Sequence, residues 1–433
     1  MRKCVSFLKR NYFVILFVGF LLFMAGNYLF GICSKVLDAS AGDTGEEAEY
    51  IAEYAQAKAL AEAESGKTSV SELSAIGRFT EKWHGLTDRL SAPEDVFLLE
   101  QPLLQLNAAL CRAAGMDYIP GATFIKLEDQ MLTYVLDEAG VESGRAVCDT
   151  NISYLHSFQQ LLEKENVQML CVNVPFKKFY CADWCPVGLR PEAEWDINAY
   201  ISEQMREKGI PCIDAIPADA QIPMQDLYYR TDHHWKSEYG IYTAKKIAEY
   251  LNANCGYAID TNIYRMDNYS QERYENALLG SIGLNATKAF APADDMVLYY
   301  PKNDQRYHFT LPACDVDATG GFEVLFHKTR LQDPSQWPTS VYSAYIYGNY
   351  LHTYIENLST DDDHKVLVIK DSFGNVVVPY LAQAIGTVDV LDFRDGRETL
   401  LTEGVLEMIR EKGYDQVIFI NRQPTRMHVL FRK

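Results

Sequence analysis

The chain has 433 residues, 48% of them hydrophobic and 12% aromatic, which is enough apolar material for one large core or two modest ones and too much for a disordered polypeptide. Its formal net charge of -19 argues against a nucleic-acid partner, because such proteins concentrate Lys and Arg on one face. A neutral or cationic partner is easier to accommodate.

Arg2, Lys3, Lys9 and Arg10 precede an apolar run from Tyr12 to Ile32, broken only by Asn27. At about 1.5 Å per residue this run covers roughly 30 Å, the thickness of a bilayer core. Residues 1–35 are therefore predicted to be a short basic cytoplasmic segment and a single transmembrane helix. The basic cluster stays inside, which leaves the C-terminal domain extracytoplasmic at the cell membrane. A cleaved signal peptide ending near Ala39-Ser40-Ala41 is the rival reading; the apolar run is long for one and the cleavage site lies well past its end.

Residues 36–79 include GEEAEYIAEYAQAKALAEAESG, rich in Ala, Glu and Lys, with Gly66 placed to stop a solvated helix. This reads as a stalk. Eight of the ten cysteines lie beyond the anchor, at scattered spacings that make no disulfide framework. Cys181 and Cys185 are close enough to close a small loop, but no second pair at matching spacing suggests zinc.

From about residue 80 short apolar runs alternate with amphipathic stretches. YLHSFQQLLEKENVQ has helical spacing, MLCVNVP reads as a buried strand, WDINAYISEQMREKG as a helix and IPCID as a strand. The pattern returns near the C-terminus in KVLVIKDS, a helix through VVPYLAQAIG, TVDVLDF, a helix through ETLLTEGVLEMIREKG, and QVIFIN. Such alternation predicts a mainly parallel sheet between helical layers, an α/β/α architecture over residues 80–433. Between the halves, residues 256–345 carry MVLYY, YHFTL and FEVLF separated by Pro, Gly and Asp clusters, which predicts a β-rich insertion.

Two stretches carry chemistry. In YRTDHHW, Asp232 and His234 sit two residues apart; an extended backbone would let their side chains converge while His233 points away. A carboxylate on one imidazole nitrogen fixes the tautomer and leaves the other nitrogen as a base. Two alternatives stay open on these residues alone. One is a metal site completed by a ligand from elsewhere. The other is a structural role, with Asp232 capping the following helix and Trp235 packed beneath it.

In KVLVIKDSFGNVVVPYL, Ser372 follows a buried strand and opens the next helix. That is where open α/β sheets place ligands and where backbone N–H groups stabilise an oxyanion. Ser and Asp are also favoured helix N-caps, so this segment alone does not separate a nucleophile from a cap.

Together with the looser VNVPFKKFY, these stretches make the chain resemble the DHHW family. More distantly it is similar to the alginate O-acetylation proteins of the SGNH-hydrolase-like superfamily. The resemblance implies a three-layer SGNH-hydrolase-like α/β domain. It also implies a triad in which Ser372 is the nucleophile, His234 the base and Asp232 the orienting carboxylate. It further implies an oxyanion hole drawing on Gly348 and Asn349 of YIYGNY, with Arg230 as a substrate-binding candidate or a salt-bridge partner of the aspartate.

The expected activity is O-acetyl transfer through a serine ester to hydroxyls of a cell-surface glycan, with no cofactor and no metal. A multispanning membrane-bound O-acyltransferase is the expected partner that brings acetyl groups outward. A carbohydrate acetylesterase with the same triad, and a noncatalytic glycan-binding scaffold, are the alternatives.

Overall fold

The computed structural model describes residues 100–421 apart from 120–121, 128–129, 135–137, 176, 178–196, 217–221, 333–340 and 393–401. The predicted anchor, the stalk, and Cys181 and Cys185 lie outside the described residues. Among the described residues no helix is long and apolar enough to cross a membrane. Among the described cysteines, Cys148, Cys171, Cys212, Cys255 and Cys314 are free thiols.

The fold lies within the compact unit Ala108–Lys433. A short antiparallel ribbon, β1 (Phe124–Lys126) with β2 (Leu132–Tyr134), leads into helix α1 (Glu138–Lys164), strand β3 (Gln168–Asn173), helix α2 (Ile197–Glu207), strand β4 (Cys212–Asp214) and helix α3 (Ser237–Asn254). Strands β5 (Tyr269–Leu278), β6 (Asp294–Pro301), β7 (Tyr307–Leu311), β8 (Val316–Gly320) and β9 (His352–Asn357) follow. The chain then forms β10 (Lys365–Lys370), β11 (Thr387–Leu391), helix α4 (Thr402–Lys412) and β12 (Gln416–Asn421).

Eight strands form one sheet in the order β4-β3-β12-β10-β11-β9-β7-β8. From β4 to β11 neighbours run parallel; from β11 to β8 they run antiparallel. The sheet is thus mixed, which corrects the mainly parallel one read from the sequence. The reason is that the segment 256–345 is divided. Its β5 and β6 pair only with each other, while β7 and β8 extend the main sheet through β9.

The parallel strands β3, β10, β11 and β12 are buried on both faces, as their unbroken apolar runs require, while the edge strand β4 is only partly buried. Val366 and Val368 of β10 share a core with Ile241, Ile247 and Leu251 of α3. The alternating Leu367 and Ile369 face a second core built on Ile152 and Leu155 of α1, Ile201 of α2 and Val405 of α4. Two cores on opposite faces of one sheet make the three layers.

Two local expectations fail for identifiable reasons. FEVLF is a 3-10 turn over Phe322–Leu325 rather than a strand: Phe322 and Leu325, three apart, are the buried pair, a spacing that suits three residues per turn. The stretch from Ser372 is a 3-10 turn over Ser372–Val376 and then a single α turn over Val378–Leu381. Pro379 has no N–H to give to the Asn375 carbonyl, so one continuous α-helix is excluded.

Candidate active site

The carboxyl edge of β10 delivers the nucleophile candidate. Asp371 is the N-cap of the 3-10 turn, and its carboxylate accepts the Phe373 N–H at 2.9 Å. The capping duty that the sequence offered to either residue is therefore taken by Asp371, and the Ser372 hydroxyl is left for other work. That hydroxyl lies 2.7 Å from Nε2 of His234. Nδ1 of His234 in turn lies 2.6 Å from Oδ1 of Asp232. The three residues proposed from two distant stretches form one continuous relay.

The carboxylate is buried to 1% exposure. Oδ1 also accepts the His234 backbone N–H at 2.9 Å, and Oδ2 accepts the Ser281 N–H at 3.0 Å. Burial alone pushes the Asp232 carboxyl up. The imidazoles of His234 and His233 and the hydrogen bonds from His234 outweigh it, holding the group well below the usual carboxylate range. Asp232 is thus an anion poised to stabilise an imidazolium.

The loop is not extended as expected. Residues 230–234 form successive bends closed by a bridge between Tyr228 and Trp235. In consequence His233 does not point away. Its ring centroid is 4.0 Å from that of His234, and its Nδ1 meets Ser281 Oγ at 2.7 Å. Tyr342 stacks on His234 at 4.1 Å and 12°, which fixes the ring plane of the base. Nor does Asp232 cap α3, whose N-cap is Lys236 and makes no side-chain capping bond. Trp235 is fully buried, as the structural alternative foresaw, but its indole N–H reaches the Phe373 carbonyl at 3.3 Å and ties the base loop to the nucleophile turn.

Several supports carried no signal legible beforehand. Asp294 of β6 accepts the N–H groups of Arg230 and Thr231, both at 2.8 Å, and the Thr231 hydroxyl at 2.6 Å. Lys177, four residues after β3, is buried and donates from Nζ to the carbonyls of Tyr229, Arg230 and Asp232. Gly280 passes so close to Asp232 that an added Cβ would sit 2.2 Å from the aspartate Cβ, so a glycine is required there. Gly240 likewise lets α3 abut the turn after Ser372: a Cβ there would stand 2.3 Å from the Val376 carbonyl oxygen.

The oxyanion and substrate candidates fare unequally. The N–H of Gly348 donates to the Tyr345 carbonyl at 2.9 Å, so it is not available to an oxyanion; the left-handed turn through Tyr347 and Gly348 (φ 62° and 110°) turns it inward. Asn349 is exposed, and its Oδ1 accepts from Nδ2 of Asn375 at 2.9 Å. Asn375 is buried one 3-10 turn beyond Ser372, a spacing that superimposes side chains along the turn. Arg230 makes no ion pair with Asp232 among the described residues. Its charge is felt instead by Asp295, whose carboxyl is held down first by the Asn276 amide, then by Arg273, with Arg230 contributing least.

Asp232, His233 and His234 also bring possible metal-ligand atoms within 4.8 Å of one another. A cation there would compete with the hydrogen bonds that already join these atoms to each other, to Ser372 and to Ser281.

The chain has recognisable relatives. Residues 134–307 match the ALGX family model, an SGNH hydrolase-like domain of acetyltransferase AlgX; the match includes the Asp232–Trp235 loop and ends before Ser372. A DHHW family protein from Eubacterium siraeum shares the fold at 19% identity, with 69% of this chain and 89% of that one covered and a TM-score of 0.51. Bacillus cereus PatB1 is similar at 19% identity, 69% and 95% coverage and a TM-score of 0.52. The same protein with a sulfonyl adduct gives 18%, 72%, 97% and 0.53. No curated protein matches the sequence. The likeness read from YRTDHHW therefore holds: residues 134–307 match the SGNH hydrolase-like model, and the α/β fold is similar to that of the solved DHHW family protein.

Proposed function

We propose that the protein is a membrane-anchored extracytoplasmic O-acetyltransferase that carries acetyl as an ester on Ser372 and passes it to hydroxyls of a cell-surface polysaccharide. One observation carries the chemistry: the unbroken chain Asp232–His234–Ser372, with bonds of 2.6 and 2.7 Å. The acetyl-transfer reading also draws on the likeness to acetyltransferase AlgX, and the membrane location on the basic and apolar N-terminal run.

In this mechanism the Ser372 oxygen attacks the acetyl carbonyl of the donor while its proton passes to Nε2 of His234. The imidazolium is held by the Asp232 anion. The Ser372 N–H, at the start of the 3-10 turn, is the donor this mechanism assigns to the developing oxyanion. Collapse of the tetrahedral adduct breaks the bond to the donor, whose leaving oxygen takes the proton from His234. A sugar hydroxyl then gives its proton to His234 and attacks the acetyl-serine, and Ser372 leaves with that proton. No net charge is created. Since the acetyl donor is made in the cytoplasm, the cycle requires a multispanning O-acyltransferase that brings acetyl outward.

The test is to incubate the extracytoplasmic part, residues 36–433, with p-nitrophenyl acetate and neutral oligosaccharides. Acetylated sugar lost in Ser372→Ala and His234→Ala is the expected result. Release of acetate alone, at a rate the sugars do not change, would make the protein an esterase; an inert protein that binds glycan equally in both variants would make it a scaffold.

A further inference from the structure

A bent, buried loop must find a partner for each of its peptide groups. In the loop that carries the triad's acid and base, the N–H groups of Arg230 and Thr231 go to Asp294, and the Thr231 carbonyl accepts the Gly283 N–H. The carbonyls of Tyr229, Arg230 and Asp232 converge on one atom, Nζ of Lys177, at 2.7, 3.0 and 2.9 Å. An ammonium offers three N–H donors on a single centre, and no other side chain can meet three converging carbonyls in this way. Lys177 is 1% exposed, so its charge has been taken out of water, a placement costly enough to need a return.

We propose that Lys177 is a positioning residue of the acyl-transfer centre. Its side-chain amine sets the bend that aims Asp232 and His234 at Ser372. This inference rests on the triad reading of the site. The groups facing His234 are the Asp232 carboxylate, the His233 imidazole, the Tyr342 phenol and the Ser372 hydroxyl. Without Lys177, the carbonyls of Tyr229, Arg230 and Asp232 lose their shared donor and the bend loses its anchor.

The experiment uses the full chain with p-nitrophenyl acetate, comparing Lys177→Met, Lys177→Gln, Lys177→Arg and Lys177→Ala with Ser372→Ala and His234→Ala. Misdirection of the base predicts a fall in kcat of roughly 100-fold with KM nearly unchanged. Arginine does not restore the rate, because its planar fork cannot meet the three carbonyls, whereas propylammonium partly rescues Lys177→Ala and tetramethylammonium does not. Folded Lys177 variants with unaltered kcat overturn the inference. So does a Lys177→Ala protein that is unfolded and that propylammonium restores neither to fold nor to turnover, since that is a structural role alone. Failure of the triad reading looks different: Ser372→Ala and His234→Ala would then keep their activity.

Discussion

The indole N–H of Trp235 donates to the carbonyl of Phe373, so the residue after the base is bonded to the residue after the nucleophile. Both are fully buried, and their rings meet edge to face at 5.8 Å. The fourth letter of the DHHW sequence is thereby part of how base and nucleophile are held in register. Trp235→Phe should keep much of the packing and remove the indole donor from the Phe373 carbonyl. The expected cost is about 1–3 kcal/mol of stability, read from a denaturant midpoint. The rate of Ser372 acylation should fall further than that of a surface variant of equal stability.

Asp232→Asn removes the anion and can present the wrong tautomer of His234 to Ser372. By analogy with serine-protease triads, a loss of about 10⁴ in kcat is expected, with the protein still folded. Steady-state turnover of p-nitrophenyl acetate measures it. A loss under tenfold would mean that the 2.6 Å contact is structural only.

The two histidines should differ. His234 contacts both Asp232 and Ser372, whereas His233 supports its ring and bonds Ser281. His234→Ala should cost at least about 10³ in kcat, in the range of triad deletions, and His233→Ala roughly tenfold. Chelators should change neither wild type nor variants. Equal losses in two folded variants, together with inhibition by a chelator, would reinstate a metal at Asp232, His233 and His234.

Gly280→Ala would drive a methyl to 2.2 Å from the Asp232 Cβ, a distance that backbone must move to relieve. A destabilisation of about 1–3 kcal/mol is expected from such overpacking, with near-complete loss of turnover. Retention of both would place the Gly280 backbone further from the carboxylate than it stands.

Stability should depend on acid in a defined direction. The Asp232 and Asp389 carboxyls are both lowered in the folded chain despite burial, Asp232 by its imidazoles and Asp389 by His352, Lys412 and Tyr414. A carboxyl lowered on folding contributes stability that is complete above its unfolded value, about 3.9, and that drains away as pH falls toward the folded value. Urea midpoints should therefore decline below about pH 4. Asp389→Asn should be less stable at neutral pH and show a shallower acid slope; an unchanged slope would contradict the account.

Much of this was written in the sequence where local pattern controls structure. KVLVIK and QVIFIN are adjacent parallel strands, and Asp232, His234 and Ser372 meet because two loops come together at the edge of the sheet. What escaped was set by tertiary contact. Asp294 and Gly280 are single residues in unremarkable surroundings, and Lys177 stands in VNVPFKKFY, a stretch that gave it no role of its own. They matter only because a loop remote in sequence folds over them. The bend that brings His233 against His234 came from the same contacts, not from the local residue types. Gly348 shows the opposite error: a Gly-Asn pair looks like a donor turn, and only its carbonyl partner, Tyr345, reveals that the N–H is already used.

The central claim is a covalent acetyl on Ser372. The direct measurement is to quench the protein with p-nitrophenyl acetate at early times and map the adduct by peptide mass spectrometry. The account predicts one acetyl on the Ser372 peptide in wild type, a far slower appearance in His234→Ala and none at that position in Ser372→Ala. Acetylation confined to lysines, with the Ser372 peptide unmodified while turnover proceeds, would contradict it.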